Sequence, residues 1–235
     1  MKLLAIETST DSMSLAVQRT LAGACKVWQH SGPGGAQTST MLIPAIQTLM
    51  AQAGLRFGEL DAIAFGCGPG SFTGLRTACA VAQGLAFGAN LKVLPVATLL
   101  AVAEEARYQQ ADALAQRRVQ ALLDARMDEM YTSSYDFDSG QWTQIGGCSL
   151  IKPEDLKCLA DCTLAGNVFA AYGARLPGTL ARRIDALPTA TAILRLAPAL
   201  LAAGGALPAA QALPFYVRDK VAQTMMERST QKAAS

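Results

Sequence analysis

Four glycines, a serine and an arginine fall within eleven residues, Gly66-Cys67-Gly68-Pro69-Gly70-Ser71-Phe72-Thr73-Gly74-Leu75-Arg76. Glycines let backbone N–H groups crowd together, and a helix N-terminus favours negative charge, so such a loop could hold an anion such as a phosphate. The same glycines could instead let a helix pack closely on a strand. The loop is not followed by Gly-Lys-Ser/Thr, and it lacks the G-x-G-x-x-G order, so neither common nucleotide motif is present. Ser71 is placed to cap the helix that Phe72 begins. The phosphate reading uses Gly68, Gly70 and Ser71 with Glu7 and Thr8 of an acidic, hydroxyl-rich turn near the N-terminus.

Those residues need elements to position them. Apolar alternation predicts strands at 2–6, 12–18 and 23–29, a loop at 31–35, and a helix from Thr38 to Ala53 ended by Gly54. A strand at 61–65, the glycine loop, a helix at 72–88 and a strand at 92–95 complete a first α/β lobe, residues 1–97. A helix from Thr98 to Tyr108 opens the second, 98–223, whose last helix could return to the first lobe. Val119–Leu123 and Met130–Tyr135 read as paired strands joined by Asp124-Ala-Arg-Met-Asp-Glu129. Further strands are expected at 142–145 and 163–166, a helix start at Pro153, and a helix at 191–203 kinked at Pro198. Residues 224–235 are polar and unpatterned and are expected to be disordered. No exact repeat is visible, but both halves mix strands and helices.

The formal net charge is +2, too small to argue for nucleic-acid binding unaided. Charge distribution says more. Val27 to Leu55 contains no Asp, Glu, Lys or Arg, and neither does Thr77 to Leu91. Both first-lobe helices fall largely in these stretches, whereas a surface helix normally carries a charged face. Leu42, Ile46, Leu49 and Ala53 form one stripe, and Met41, Ala45 and Thr48 point elsewhere without charge. Charge depletion with Met and aliphatic residues suits the core of an interface, and internal burial is the alternative. The N-terminus has no basic stretch with a cleavage site, and no run of about 18 apolar residues exists, so a cytoplasmic protein without a membrane span is expected. The six cysteines (25, 67, 79, 148, 158 and 162) contain no C-x-x-C pair and read as reduced thiols.

The hydroxyl-rich first hairpin resembles the opening of the ASKHA superfamily of sugar kinases, actin and Hsp70. More specifically, Leu4-Ala-Ile-Glu-Thr-Ser-Thr10, the block Gly66 to Arg76, Ala82-Gln-Gly-Leu-Ala86, Asp124-Ala-Arg-Met127 and Pro214-Phe-Tyr-Val-Arg218 resemble the TsaB (YeaZ) family. The matches span residues 4 to about 222. The resemblance implies a two-lobed ASKHA-like α/β fold. It also implies a non-catalytic partner of TsaD, acting with the ATPase TsaE to attach the threonylcarbamoyl group to the adenosine beside the tRNA anticodon. Pairing would use the helices at 38–53 and 72–88, and the chain alone would pair with itself. That places the contact on Met41, Leu42, Ala45, Ile46, Leu49, Thr73, Leu75, Arg76 and Ala80. tRNA would be reached indirectly, and no DNA or membrane contact is implied.

Three enzyme readings can be weighed. TsaD-like relatives carry His-x-x-x-His on the first helix. Here that helix begins Gln37-Thr-Ser-Thr-Met, with Thr38 where TsaB-like chains often keep a histidine, so a metal is expected in the partner only. A serine hydrolase is disfavoured because Pro69 occupies the first glycine position of a G-x-S-x-G elbow and His30 is the one histidine. A self-standing ATP-dependent enzyme using Glu7, Ser71 and Arg76 is the main alternative. Asp124, Asp128 and Glu129 cluster but read as a turn, and Gly146-Gly147 and Gly204-Gly205 make poor second phosphate loops. No cofactor of its own is expected beyond weak ATP or ADP binding.

Overall fold

A computed structural model of the chain describes residues 1–21, 23–110, 117–177 and 181–218. The tail expected at 224–235 lies outside the described residues. Strands β1 (Lys2–Glu7), β2 (Ser12–Leu21), β3 (Ala24–Pro33), β4 (Ala62–Gly68) and β5 (Lys92–Ala97) alternate with helices α1 (Thr38–Ala53), α2 (Phe72–Ala89) and α3 (Thr98–Tyr108). A second set follows: β6 (Arg117–Asp124), β7 (Met130–Asp138), β8 (Gln141–Ile151), β9 (Cys162–Gly166), α4 (Phe169–Tyr172), β10 (Arg182–Asp185), α5 (Ala190–Ala202) and β11 (Leu207–Pro208).

Two mixed sheets result, ordered β11-β5-β4-β1-β2-β3 and β10-β9-β6-β7-β8. Setting β11 aside, they share one plan. An antiparallel meander (β1-β2-β3, β6-β7-β8) is extended on its first strand by two parallel strands (β4-β5, β9-β10). The repeat is one of topology, carried by patterning rather than by identical residues.

Alternation along β1 builds the layers. Leu4 and Ile6 face one way with α1 and α2; Leu3 and Ala5 face the other, against α5. α3 packs on the second sheet through Leu99, Val102 and Ala106, so α3 and α5 lie between the sheets. The joint is pinned at Glu104, 3% exposed, which accepts hydrogen bonds from Arg107, Arg195 and Trp142 at 2.8–3.0 Å. Burial alone would raise its pKa, but these donors outweigh it and hold the carboxyl below its ordinary value.

Several elements depart from the sequence-based expectations. β3 runs on to Pro33, through most of the expected loop. β8 is eleven residues long, and Pro153 starts only a short 3-10 turn. β10, β11 and the four-residue α4 were not anticipated, being too short to show a period. α1 and α3 match the expected bounds, because Gly54 closes α1 in the left-handed region, φ 61°.

Candidate partner interface and interlobe cleft

Each glycine of the β4–α2 loop has a neighbour from its own chain. A Cβ on Gly66 would overlap the Glu7 carboxylate at 1.9 Å, and one on Gly74 would sit 1.8 Å from the Thr8 carbonyl. Gly70 lies against Ser9, and Gly68 against the Phe215 carbonyl. The Ser71 N–H donates to the Ser9 carbonyl at 2.7 Å, and the Thr8 hydroxyl donates to the Gly74 carbonyl at 2.7 Å. The spacing is therefore accounted for by close packing of the first turn on the start of α2. Ser71 caps α2, its Oγ accepting the Gly74 N–H at 3.4 Å.

Glu7 is fully enclosed. Its Oε1 accepts the Ser9 N–H at 2.6 Å, and its Oε2 has no partner. Burial raises its pKa, outweighing the hydrogen bonds from Ser9 and Thr8. Burial, with the nearby Glu7 charge adding to it, also pushes the Cys67 thiol up to about 12.

Between the lobes lies a cleft of about 340 Å³. Gly70 and Ser71 line it with Ser9, whose buried Oγ has no partner. Glu7, Thr8 and Gly68 do not line it; they are taken up in packing. The second lobe contributes Asn167 and the β6–β7 turn. The acids of that turn are held in ion pairs, Asp124 with Arg126, Asp128 with Arg175 and Glu129 with Arg218. His30 lies exposed on the edge strand β3, three strands from β4, so nothing assembles it with Ser71. Among the described residues no group of three or more His, Cys, Asp or Glu side chains is placed to share a metal ion. Among them also, no helix is long and apolar enough to cross a membrane.

The helices α1 and α2 divide into an inner and an outer face. Leu42, Ile46, Leu49 and Leu75, expected at the partner contact, are at most 3% exposed; the first three sit on the first sheet, while Leu75 lines the interlobe cleft. That stripe belongs to the chain's own core, because its side chains fill the space against Leu4, Ile6 and Phe65. The outer face carries Met41, half exposed, with Thr73, Arg76 and Ala80, while Ala45 is partly covered. Ile43 on α1, 46% exposed, and Phe87 on α2, 78% exposed, are further exposed apolar residues outside the expected set. A shallow groove of about 460 Å³ runs along this side of α2, past Ser39, Thr73, Arg76 and Ala80. Arg76 is the one charged residue of α2, and α1 has none.

The sequence had not exposed the role of the C-terminal segment. Residues 207–218 run along α2 and then over the cleft, with Tyr216 OH accepting from Arg76 Nε at 3.0 Å. The signal available was the motif Pro214 to Arg218, aromatic and basic residues with no strand or helix period.

Two topologically matched lobes around a cleft, with a helical face free of carboxylates on the first, define a two-lobed ASKHA-type α/β protein. A family model described as TsaD, tRNA N6-adenosine threonylcarbamoyltransferase, matches residues 34–226. The chain is 35% identical over 232 residues to the tRNA threonylcarbamoyladenosine biosynthesis protein TsaB of Haemophilus influenzae, covering 93% of this chain and 94% of that one. It is 31% identical over 231 residues to TsaB of Escherichia coli, covering 94% and 96%. The solved structure of YeaZ from Pseudomonas aeruginosa superposes with a TM-score of 0.81 at 36% identity, over 92% of this chain and 99% of that one. The chain belongs to the TsaB (YeaZ) family.

Proposed function

We propose that the chain works in the synthesis of threonylcarbamoyladenosine on tRNA, as a non-catalytic partner of the TsaD-type transferase. The naming of its relatives supports the pathway. The observation that carries the partner role is the exposed side of α1 and α2, where Met41 and Ile43 on α1 and Ala80 and Phe87 on α2 are exposed and no carboxylate occurs. Such a face costs solubility in a monomer and suits the core of an interface. The transferase covers it in the working complex, with a TsaE-type ATPase joining them; a second copy covers it when the chain is alone. Catalysis and any metal belong to the transferase, tRNA is held mainly through it, and the assembly works in the cytoplasm.

Ala80→Glu tests this. It puts a carboxylate at the centre of the outer face without touching the inner one. The variant is expected to keep its thermal midpoint while losing co-purification with the transferase of the same organism. Normal co-purification would sink the assignment of this face.

A second reading, weak ATP or ADP binding by the chain itself, is favoured by the unpartnered Ser9 hydroxyl and the start of α2 lining the cleft. Titration calorimetry with each nucleotide decides it; no heat at millimolar nucleotide removes it.

A further inference from the structure

Residues 207–218 tie the first lobe to the second. They start as β11 on β5, and the Ala209 carbonyl then accepts from Gln83 of α2 at 3.1 Å. The Phe215 N–H donates to the Cys67 carbonyl at 2.7 Å. Tyr216 has its ring 5.4 Å from Phe72, and its hydroxyl is held by Arg76, whose guanidinium lies 3.7 Å over the same Phe72 ring. Val217 then packs on the core of the second lobe. Arg218 donates to the Glu129 carboxylate and to the Arg126 carbonyl, and reaches Met127 Sδ at 3.5 Å.

What Arg218 grips is an unusual turn. Arg126, Met127 and Asp128 follow one another at φ 58°, 54° and 64°. Three successive non-glycine residues in the left-handed region persist only where their surroundings hold them. The restraints are Asp11 of the first lobe on Arg126, Arg175 on Asp128, and Arg218 on the turn's far end. Three of the turn's amides are closed by hydrogen bonds, Ala125 to the Glu129 carbonyl at 3.0 Å, Glu129 to the Arg126 carbonyl at 3.2 Å and Arg126 to the Asp124 carboxylate at 2.8 Å.

The geometry points to residues 214–218 as an interlobe latch that carries the state of the outer face of α2 to the β6–β7 turn at the cleft. Arg76 stands one helical turn before Ala80, and its hydrogen bond runs to Tyr216, two residues from Arg218. When Arg76 lets go, Tyr216 loses its one fixed polar anchor, and Arg218 loses the backbone that aims it at Glu129. The strained turn is then free to relax, and the cleft mouth loosens. This coupling is a property of the single chain and stands whether or not a transferase docks on α2.

Hydrogen exchange on the full chain, read peptide by peptide, tests it. Arg218→Ala removes a charge-assisted contact and should speed exchange about tenfold in both 125–129 and 213–218. The discriminating variant is Arg76→Ala, which removes a contact made by a first-lobe residue with no contact to the turn itself, yet should also speed exchange in 125–129. Tyr216→Phe, lacking only the hydroxyl, should act in the same direction and by less. Arg56→Ala, an exposed arginine paired with Glu59 away from the cleft, controls for loss of surface charge. If Arg76→Ala quickens only the first turn of α2 and leaves 125–129 as protected as in the parent chain, there is no latch. Unchanged protection of 125–129 in Arg218→Ala would rule the latch out equally.

Discussion

The two lobes are built on one strand plan and differ most after their fourth strand. In the first, β4 leads through the glycine loop into the eighteen-residue α2; in the second, β9 leads into the four-residue α4. Both begin alike. A glycine ends the approach to the neighbouring strand in each, Gly66 against Glu7 and Gly166 against the Leu122 carbonyl. Only the first goes on to a long helix with a solvent-facing side free of carboxylates. The start of its hairpin turn is enclosed, with Glu7, Thr8 and Ser9 buried, while the second lobe's turn is open and laced with ion pairs. Topology therefore does not set function here. What separates the two lobes is what the connection after the fourth strand exposes.

The sharpest way to break this comparison is at the glycines. Gly74→Ala forces a Cβ into the Thr8 carbonyl and should cost about 4 kcal/mol, read from urea unfolding. Gly84→Ala on the same helix meets nothing within 4 Å and should gain up to about 1 kcal/mol from helix propensity. Equal effects at the two would mean that the loop glycines are not packing residues. Next in size, Leu42→Ala should cost about 3 kcal/mol because it empties the first lobe's core, whereas Met41→Ala one residue earlier should leave the urea midpoint nearly unchanged and weaken transferase binding.

The carboxyls Glu7 and Glu104 have pKa values shifted in opposite directions, and pH separates them. Glu7 is raised by burial, so the folded state holds its proton longer than the unfolded chain; stability falls as pH climbs from the ordinary carboxyl range through the raised value. Glu104 is lowered by its donors, so its contribution is present above the ordinary range and is lost as pH drops through the lowered value. Glu7→Gln should therefore gain stability relative to the parent at pH 7.5 compared with pH 4.5, and Glu104→Gln should lose it at pH 7.5 compared with a pH of about 3, below the ordinary carboxyl range. Denaturation midpoints across each window check the signs; the same sign for both would contradict the burial account.

Long periodic elements were legible in the sequence, and the partition of faces was not. α1 could be bounded because Gly54 stops it and its apolar spacing is regular. Which side of it faces solvent could not be read, because a helix uncharged all round offers no polar face to point outwards. Hence Leu42, Ile46 and Leu49 were expected at a contact, whereas they lie buried against the first sheet. The glycine loop was legible as strand–turn–helix, but not what fills its spaces, since Thr8, Ser9 and Phe215 arrive from distant sequence. The segment 207–218 escaped for a related reason. It has almost no regular structure and is fixed by single contacts to residues as far back as Cys67.

Sedimentation velocity of the chain, alone and mixed with the TsaD-type transferase of its own organism, tests the central claim most directly. A self-associated species replaced by a discrete one-to-one complex, with Ala80→Glu abolishing both, is the expected result. Two proteins sedimenting independently, with the parent chain a monomer at every concentration, would contradict it.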